Sequence, residues 1–150
     1  MKANKRSIIF SVLTITWICV IFSFSMQNAE DSSQLSGGIV AHLVEWICPD
    51  GFEHTDRLET IIRKGAHFTE YFILGMLMSQ TVKEAKSKRQ VFLPWIAGTI
   101  VACLDETIQL FSDGRAGRVA DVMLDSSGVL CGCVLLYLLC SKADRGSARD

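Results

Sequence analysis

Four stretches of the chain are dominated by apolar residues, at 8–24, 66–82, 91–111 and 119–140, and polar segments separate them. No charged residue occurs from Ile8 to Gln27. The second stretch is interrupted only by His67 and Glu70, the third by Asp105 and Glu106 near its end, and the fourth by Asp121 and Asp125 near its start. Each approaches the roughly 20 residues that a helix needs to cross hydrocarbon at about 1.5 Å per residue. Helices are the expected form, because isolated strands would leave backbone groups unpaired in lipid. The pattern predicts an all-α membrane protein. Its fold class is a four-transmembrane-helix bundle, forming a single domain over residues 1–150 with a tail at 142–150.

Lys2, Lys5 and Arg6 precede the first stretch. A basic flank suits either a signal peptide or an anchor, but this run exceeds the usual h-region and no small-x-small cleavage site follows, so an uncleaved anchor is expected. With the N-terminus inside, Lys2, Lys5, Arg6, Lys83, Lys86, Lys88, Arg89, Lys142, Arg145 and Arg149 are cytoplasmic. Arg57, Arg63, Lys64, Arg115 and Arg118 are then outside, a ratio of 10 to 5 that puts both termini in the cytoplasm. In the first outer loop, Leu35, Ile39, Leu43, Trp46 and Ile47 recur at helical spacing and predict a short amphipathic helix. Such a helix would lie on the membrane surface or over the bundle mouth. Asp56 is a candidate cap for a second short helix carrying Leu58, Ile61 and Ile62, after a break at Pro49-Asp50-Gly51.

Composition adds exclusions. A net charge of −1 gives no basic surface of the kind that nucleic-acid binders present, so no nucleic-acid partner is expected. Eleven Gly and 2 Pro exclude collagen-like repetition. Of the six cysteines, Cys19, Cys103, Cys131, Cys133 and Cys140 fall in the spans and only Cys48 in the outer loop, so no disulfide framework is expected.

Charges within spans are costly and by default mark function. Given the expected topology, His67, Glu70, Asp105, Glu106, Asp121 and Asp125 all lie in one layer, roughly 5–10 Å below the outer boundary. Arg63, Lys64, His67, Glu70 and Tyr71 share one helix face. Asp105, Glu106 and Gln109 occupy an arc of about 100°, and Asp121, Asp125, Gly128 and Gly132 lie within about 60° of one another. The Gly128-x-x-x-Gly132 spacing lets a second helix approach on the stripe that carries the carboxylates. Glycines in Asp113-Gly114-Arg115-Ala116-Gly117-Arg118 permit a turn that aims Arg115 back over the layer. The layer reads as a binding site, as an ion-pair network that registers the helices, or as part of a proton or ion path. The apolar inner halves of the spans count against a path. His67-x-x-Glu70, with Asp105, Glu106, Asp121 and Asp125, raises the question of a metal, but the neighbouring Arg and Lys would neutralise those carboxylates, so neither metal nor cofactor is expected. Glu70, Glu106 and His67 are the candidates for acid–base catalysis. No nucleophile motif or phosphate-binding glycine loop accompanies them.

Several ordered motifs carry a resemblance. Ser23-Phe24-Ser25-Met26-Gln27, Arg63-Lys64-Gly65-Ala66-His67-Phe68-Thr69-Glu70-Tyr71, Asp105-Glu106-Thr107-Ile108-Gln109, Gly114-Arg115-Ala116-Gly117-Arg118 and the stretch 121–132 together resemble the VanZ-like family, over nearly the whole chain. The resemblance implies a bacterial plasma-membrane protein. The family's named member is linked to resistance to teicoplanin, a lipoglycopeptide. It also implies a site at Arg63, Lys64, His67, Glu70, Asp105, Glu106, Gln109, Arg115 and Asp121. The expected function is an envelope protein whose outward-facing charged cavity binds a lipid-linked headgroup or lipoglycopeptide and reduces antibiotic action. The alternatives are a small intramembrane acid–base enzyme acting on an envelope lipid or lipid-linked glycan, and a structural partner of a larger envelope complex.

Overall fold

The computed structural model describes residues 5–27, 34, 37–38, 55–84, 90–112 and 117–146. Among them the architecture is all-helical, with α1 at Lys5–Ser25, α2 at Thr55–Glu84, α3 at Phe92–Gln109 and α4 at Val119–Gly146. Two of these helices, α1 and α4, are long and apolar enough to cross a membrane. The amphipathic helix expected through Leu35, Ile39, Leu43, Trp46 and Ile47 lies largely outside the described residues, and so do the Asp113-Gly114-Arg115-Ala116 turn and Cys48. Leu58, Ile61 and Ile62 belong to α2 itself, which runs unbroken from Thr55. Gly65, the only glycine between them and the apolar part of the helix, meets no neighbour and is tolerated as a helical residue.

Helix α2 packs most extensively on α4, and α1 and α3 complete the bundle. The α2–α4 seam is a backbone-to-backbone contact. A methyl group placed on Gly132 would collide with the Phe72 carbonyl oxygen, and one on Gly128 would lie 2.7 Å from the Phe68 carbonyl oxygen. Across the same seam a methyl on Gly75 would strike the Val129 carbonyl. Val129 is fully buried, and its side chain fills the space that Gly98 leaves open on α3. The Cys133 thiol donates to the Gly75 carbonyl at 3.3 Å. The cysteines of the described residues are free, as expected from their places on the helices.

Side chains then tie the remaining helices to this pair. The Trp17 indole of α1 donates to the Glu70 carbonyl at 2.9 Å, and Thr14 pairs with Thr81 at 3.3 Å. On α3, the Trp95 indole donates to Ser126 Oγ at 3.1 Å, and Thr99 pairs with the same hydroxyl at 2.7 Å. Ser79 closes the α2–α3 connection by donating to the Gln90 carbonyl.

Polarity is segregated in the reverse of the usual sense. Asp105, Glu106 and Gln109 of α3 are buried, whereas Phe92, Leu93, Ile96, Ile100 and Leu104 on the same helix are exposed. On α1, only Thr14, Ile21 and Ser25 are buried, and Ile8, Ile9, Val12, Leu13 and Ile15 face outward. Apolar side chains gain by leaving water, so an outward apolar face of this extent calls for an apolar surrounding.

The seam makes a direct prediction. Gly132→Leu should destabilise the purified, detergent-solubilised protein by at least the 1–3 kcal/mol typical of overpacking, or about that order. Gly65→Ala, which meets no neighbour, should stabilise it by roughly 0.5–1 kcal/mol. Thermal unfolding followed by circular dichroism checks both; equal effects at the two positions would refute the seam.

Candidate functional site

At one end of the bundle four helix segments converge. They are the C-terminus of α1, the first half of α2, the last turns of α3 and the first turns of α4. Each brings polar side chains because of where it enters or leaves its apolar run. Ser25 is the last residue of α1, and its hydroxyl donates to Asp105 Oδ1 at 2.5 Å. Gln109, one turn beyond Asp105 on α3, donates from Nε2 to Asp105 Oδ2 at 3.2 Å. Both oxygens of this fully buried carboxyl group thus have a donor. Ser112, just past α3, donates to the Ser25 carbonyl at 3.0 Å and secures the same junction from the other side.

Glu106 points from the adjacent position to the start of α4, where its Oε2 accepts the Arg118 backbone N–H at 2.8 Å. Gly117 precedes that amide, and a methyl there would lie 2.8 Å from the Glu106 carbonyl oxygen, so the chain passes too close for a side chain. A carboxylate on a free amide at a helix start also has a favourable field. Lys64 of α2 reaches Asp121 of α4, with Nζ donating to Oδ1 at 3.0 Å. Side chains at 44% and 29% exposure leave this pair in contact with its surroundings.

The centre of the cluster is more buried and less neutralised. Asp125 is fully buried, and neither carboxyl oxygen has a hydrogen-bond partner among the described residues. The Tyr71 side chain is fully buried as well, and its hydroxyl lies beside Asp105. His67 is placed one turn before Tyr71, with its Nδ1 3.9 Å from Glu70 Oε2. One ligand atom each of His67, Asp105 and Asp125 lies within 4.8 Å of the others. His67 and Glu70 keep 23% and 22% of their side-chain surface exposed, so the cluster is reached from their side.

The structure therefore brings together Lys64, His67, Glu70, Asp105, Glu106, Gln109 and Asp121 of the residues singled out in the sequence. Arg63 is exposed and forms no ion pair with a described residue, and Arg115 lies outside the described residues. The expectation that basic residues neutralise the carboxylates holds at Asp121. Among the described residues it does not hold at Asp105 or Asp125, because the Lys64 ammonium turns to Asp121. The sequence pattern places Asp125 in the charged layer and Tyr71 on the His67 face, but the site that the resemblance implies includes neither of them, nor Ser25. Ser25 carried no comparable signal, since its partner is 80 residues away.

Two substitutions separate the buried contact from the exposed one. Ser25→Ala, which withdraws a donor from a buried carboxyl group, should cost about 1–3 kcal/mol of stability. Lys64→Gln should change stability by less than about 1 kcal/mol, as expected of an exposed pair. Thermal melting in one detergent ranks the two, and a larger loss at Lys64 would contradict the assignment.

A family model described as VanZ/LLP1 matches residues 10–140. No curated protein and no solved structure matches the chain.

Proposed function

The chain belongs to the VanZ/LLP1 family, and on that premise we propose that it is a four-span membrane protein whose polar cluster faces outward and engages an envelope lipid headgroup. Family membership and the two long apolar helices suggest a membrane location, and membership also suggests a cell-envelope protein linked to antibiotic resistance. In this reading α2 and α3 cross with α1 and α4, their polar residues turned into the bundle. Both termini are cytoplasmic, in a bacterial plasma membrane.

One observation carries the reading. All four helices deliver polar side chains to the same end of a bundle in which α1, α3 and α4 turn apolar side chains outward, and the cluster is reached past His67 and Glu70. Grouped donors and acceptors of this kind suit a ligand with both anionic and amide or hydroxyl groups. A lipid-linked cell-wall precursor has these, and so does a lipoglycopeptide that targets it. Lys64 and the exposed Arg63 would contact phosphate or carboxylate, and Arg115 is a further candidate by its chemistry alone. Asp121 and Glu106 would accept amide or sugar donors. Occupation of the headgroup, or capture of the antibiotic, would lower the antibiotic's action.

Expression in a lipoglycopeptide-sensitive bacterium tests this, with membrane abundance matched between wild type and Glu106→Gln. Wild type should raise the inhibitory concentration of teicoplanin and the variant should not. Purified wild type should also bind lipid-linked precursor in detergent, at least about tenfold more tightly than the variant, the loss of about 1.4 kcal/mol. Equal protection and equal binding by the two proteins would sink the proposal. Conversion of the precursor during the binding assay would instead favour an enzyme acting through His67 and Glu70.

A further inference from the structure

The least explained feature of the molecule is a pair of carboxyl groups. Asp105 and Asp125 are both fully buried, on α3 and α4, and Glu70 and Glu106 stand nearby. Placing a charge in such surroundings costs several kcal/mol unless an opposite charge and hydrogen bonds compensate. Asp105 has its donors, Ser25 and Gln109. Asp125 has none among the described residues, and no Lys or Arg of those residues pairs with either group.

The group that does face them is an imidazole. His67 extends from α2, so that one nitrogen and two carboxyl oxygens from three different helices lie within 4.8 Å of one another. We propose that His67, Asp105 and Asp125 form a binding site for one divalent transition-metal ion of the Zn2+ or Mn2+ type. A doubly charged ion balances both carboxylates and takes up the unpartnered Asp125 oxygens. One imidazole with two carboxylates is a ligand set for borderline metals, whereas Ca2+ prefers six or more oxygens. Ser25 and Gln109 then orient Asp105 while leaving it lone pairs for the ion, as outer partners of metal ligands commonly do. The partly exposed His67 and Glu70 provide the way in. Three protein ligands leave a coordination position for water or for an oxygen of an anionic headgroup. The site stands on its own geometry and does not depend on which headgroup, if any, the protein binds.

The test uses full-length, tag-free protein in detergent, stripped with a chelator and dialysed. Mn2+ is the first probe because thiolates hold it poorly, which removes the cysteines as competitors; Zn2+ is the second. Wild type should bind about one ion per chain saturably, seen by loss of the free Mn2+ resonance signal and by elemental analysis, and its melting temperature should rise with metal as mass action requires. Asp125→Asn and His67→Gln should each weaken binding by at least about tenfold while remaining monodisperse. Cys140→Ser, about four turns beyond Asp125 on α4, should bind as wild type does. Absence of saturable binding to wild type overturns the proposal, and so does binding that neither ligand substitution weakens. Should the stripped Asp125→Asn protein melt higher than stripped wild type while metal leaves wild type unchanged, a proton shared between the carboxyl groups takes the place of the ion, and the proposal again fails. The wild-type titration decides the matter even if one variant does not fold.

Discussion

Everything at the polar end of this bundle depends on holding Asp105 and Asp125 in the interior of a structure whose α1, α3 and α4 face outward with apolar side chains. A carboxyl group is costly in such a place unless partners meet it, and the neighbouring helices supply them for Asp105 but not, among the described residues, for Asp125. For Asp105, Ser25 does so from the end of α1 and Gln109 from one turn further along α3. These contacts set where α1 ends against α3, and the Ser112 hydroxyl on the Ser25 carbonyl keeps the same junction closed. The polar cluster is thus part of the packing and not an addition to it.

The glycine seam makes this possible. Because Gly128 and Gly132 let α4 lie directly on the backbone of α2, the Asp121–Asp125 stripe is brought against the face bearing Lys64, His67 and Tyr71. A wider seam would separate His67 from Asp125. Val129 fills the gap between α2 and α3, so the third wall stands at a defined distance too. Backbone packing that holds the helices in place and side-chain chemistry at the cluster therefore share the same few turns of α4.

The cluster has an inner and an outer part with different physical character. Lys64–Asp121 is partly exposed, which fits contact with an incoming headgroup. Asp105 and Asp125 are fully enclosed, which fits a fixed charge-balancing role beneath it. His67 and Glu70 stand between the two parts.

Much of this was legible in the sequence, because hydrophobic length and helical period are local properties. The four apolar runs correspond to the four described helices, and the helical period alone grouped Arg63, Lys64, His67, Glu70 and Tyr71, as well as Asp121 with Asp125. The Gly128–Gly132 spacing likewise announced a close helix contact. What periodicity cannot state is which face meets which. That α2 is the partner of the glycine stripe, that Lys64 neutralises Asp121 and not Asp125, and that Ser25 at the end of the first run donates to Asp105 are relations between distant parts of the chain. Only tertiary packing decides them, since electrostatic and hydrogen-bond partners are chosen by distance in space. The number and kind of polar groups on each helix was written in the residues; which of them would be neutralised, and which left without a partner, was decided when the helices met.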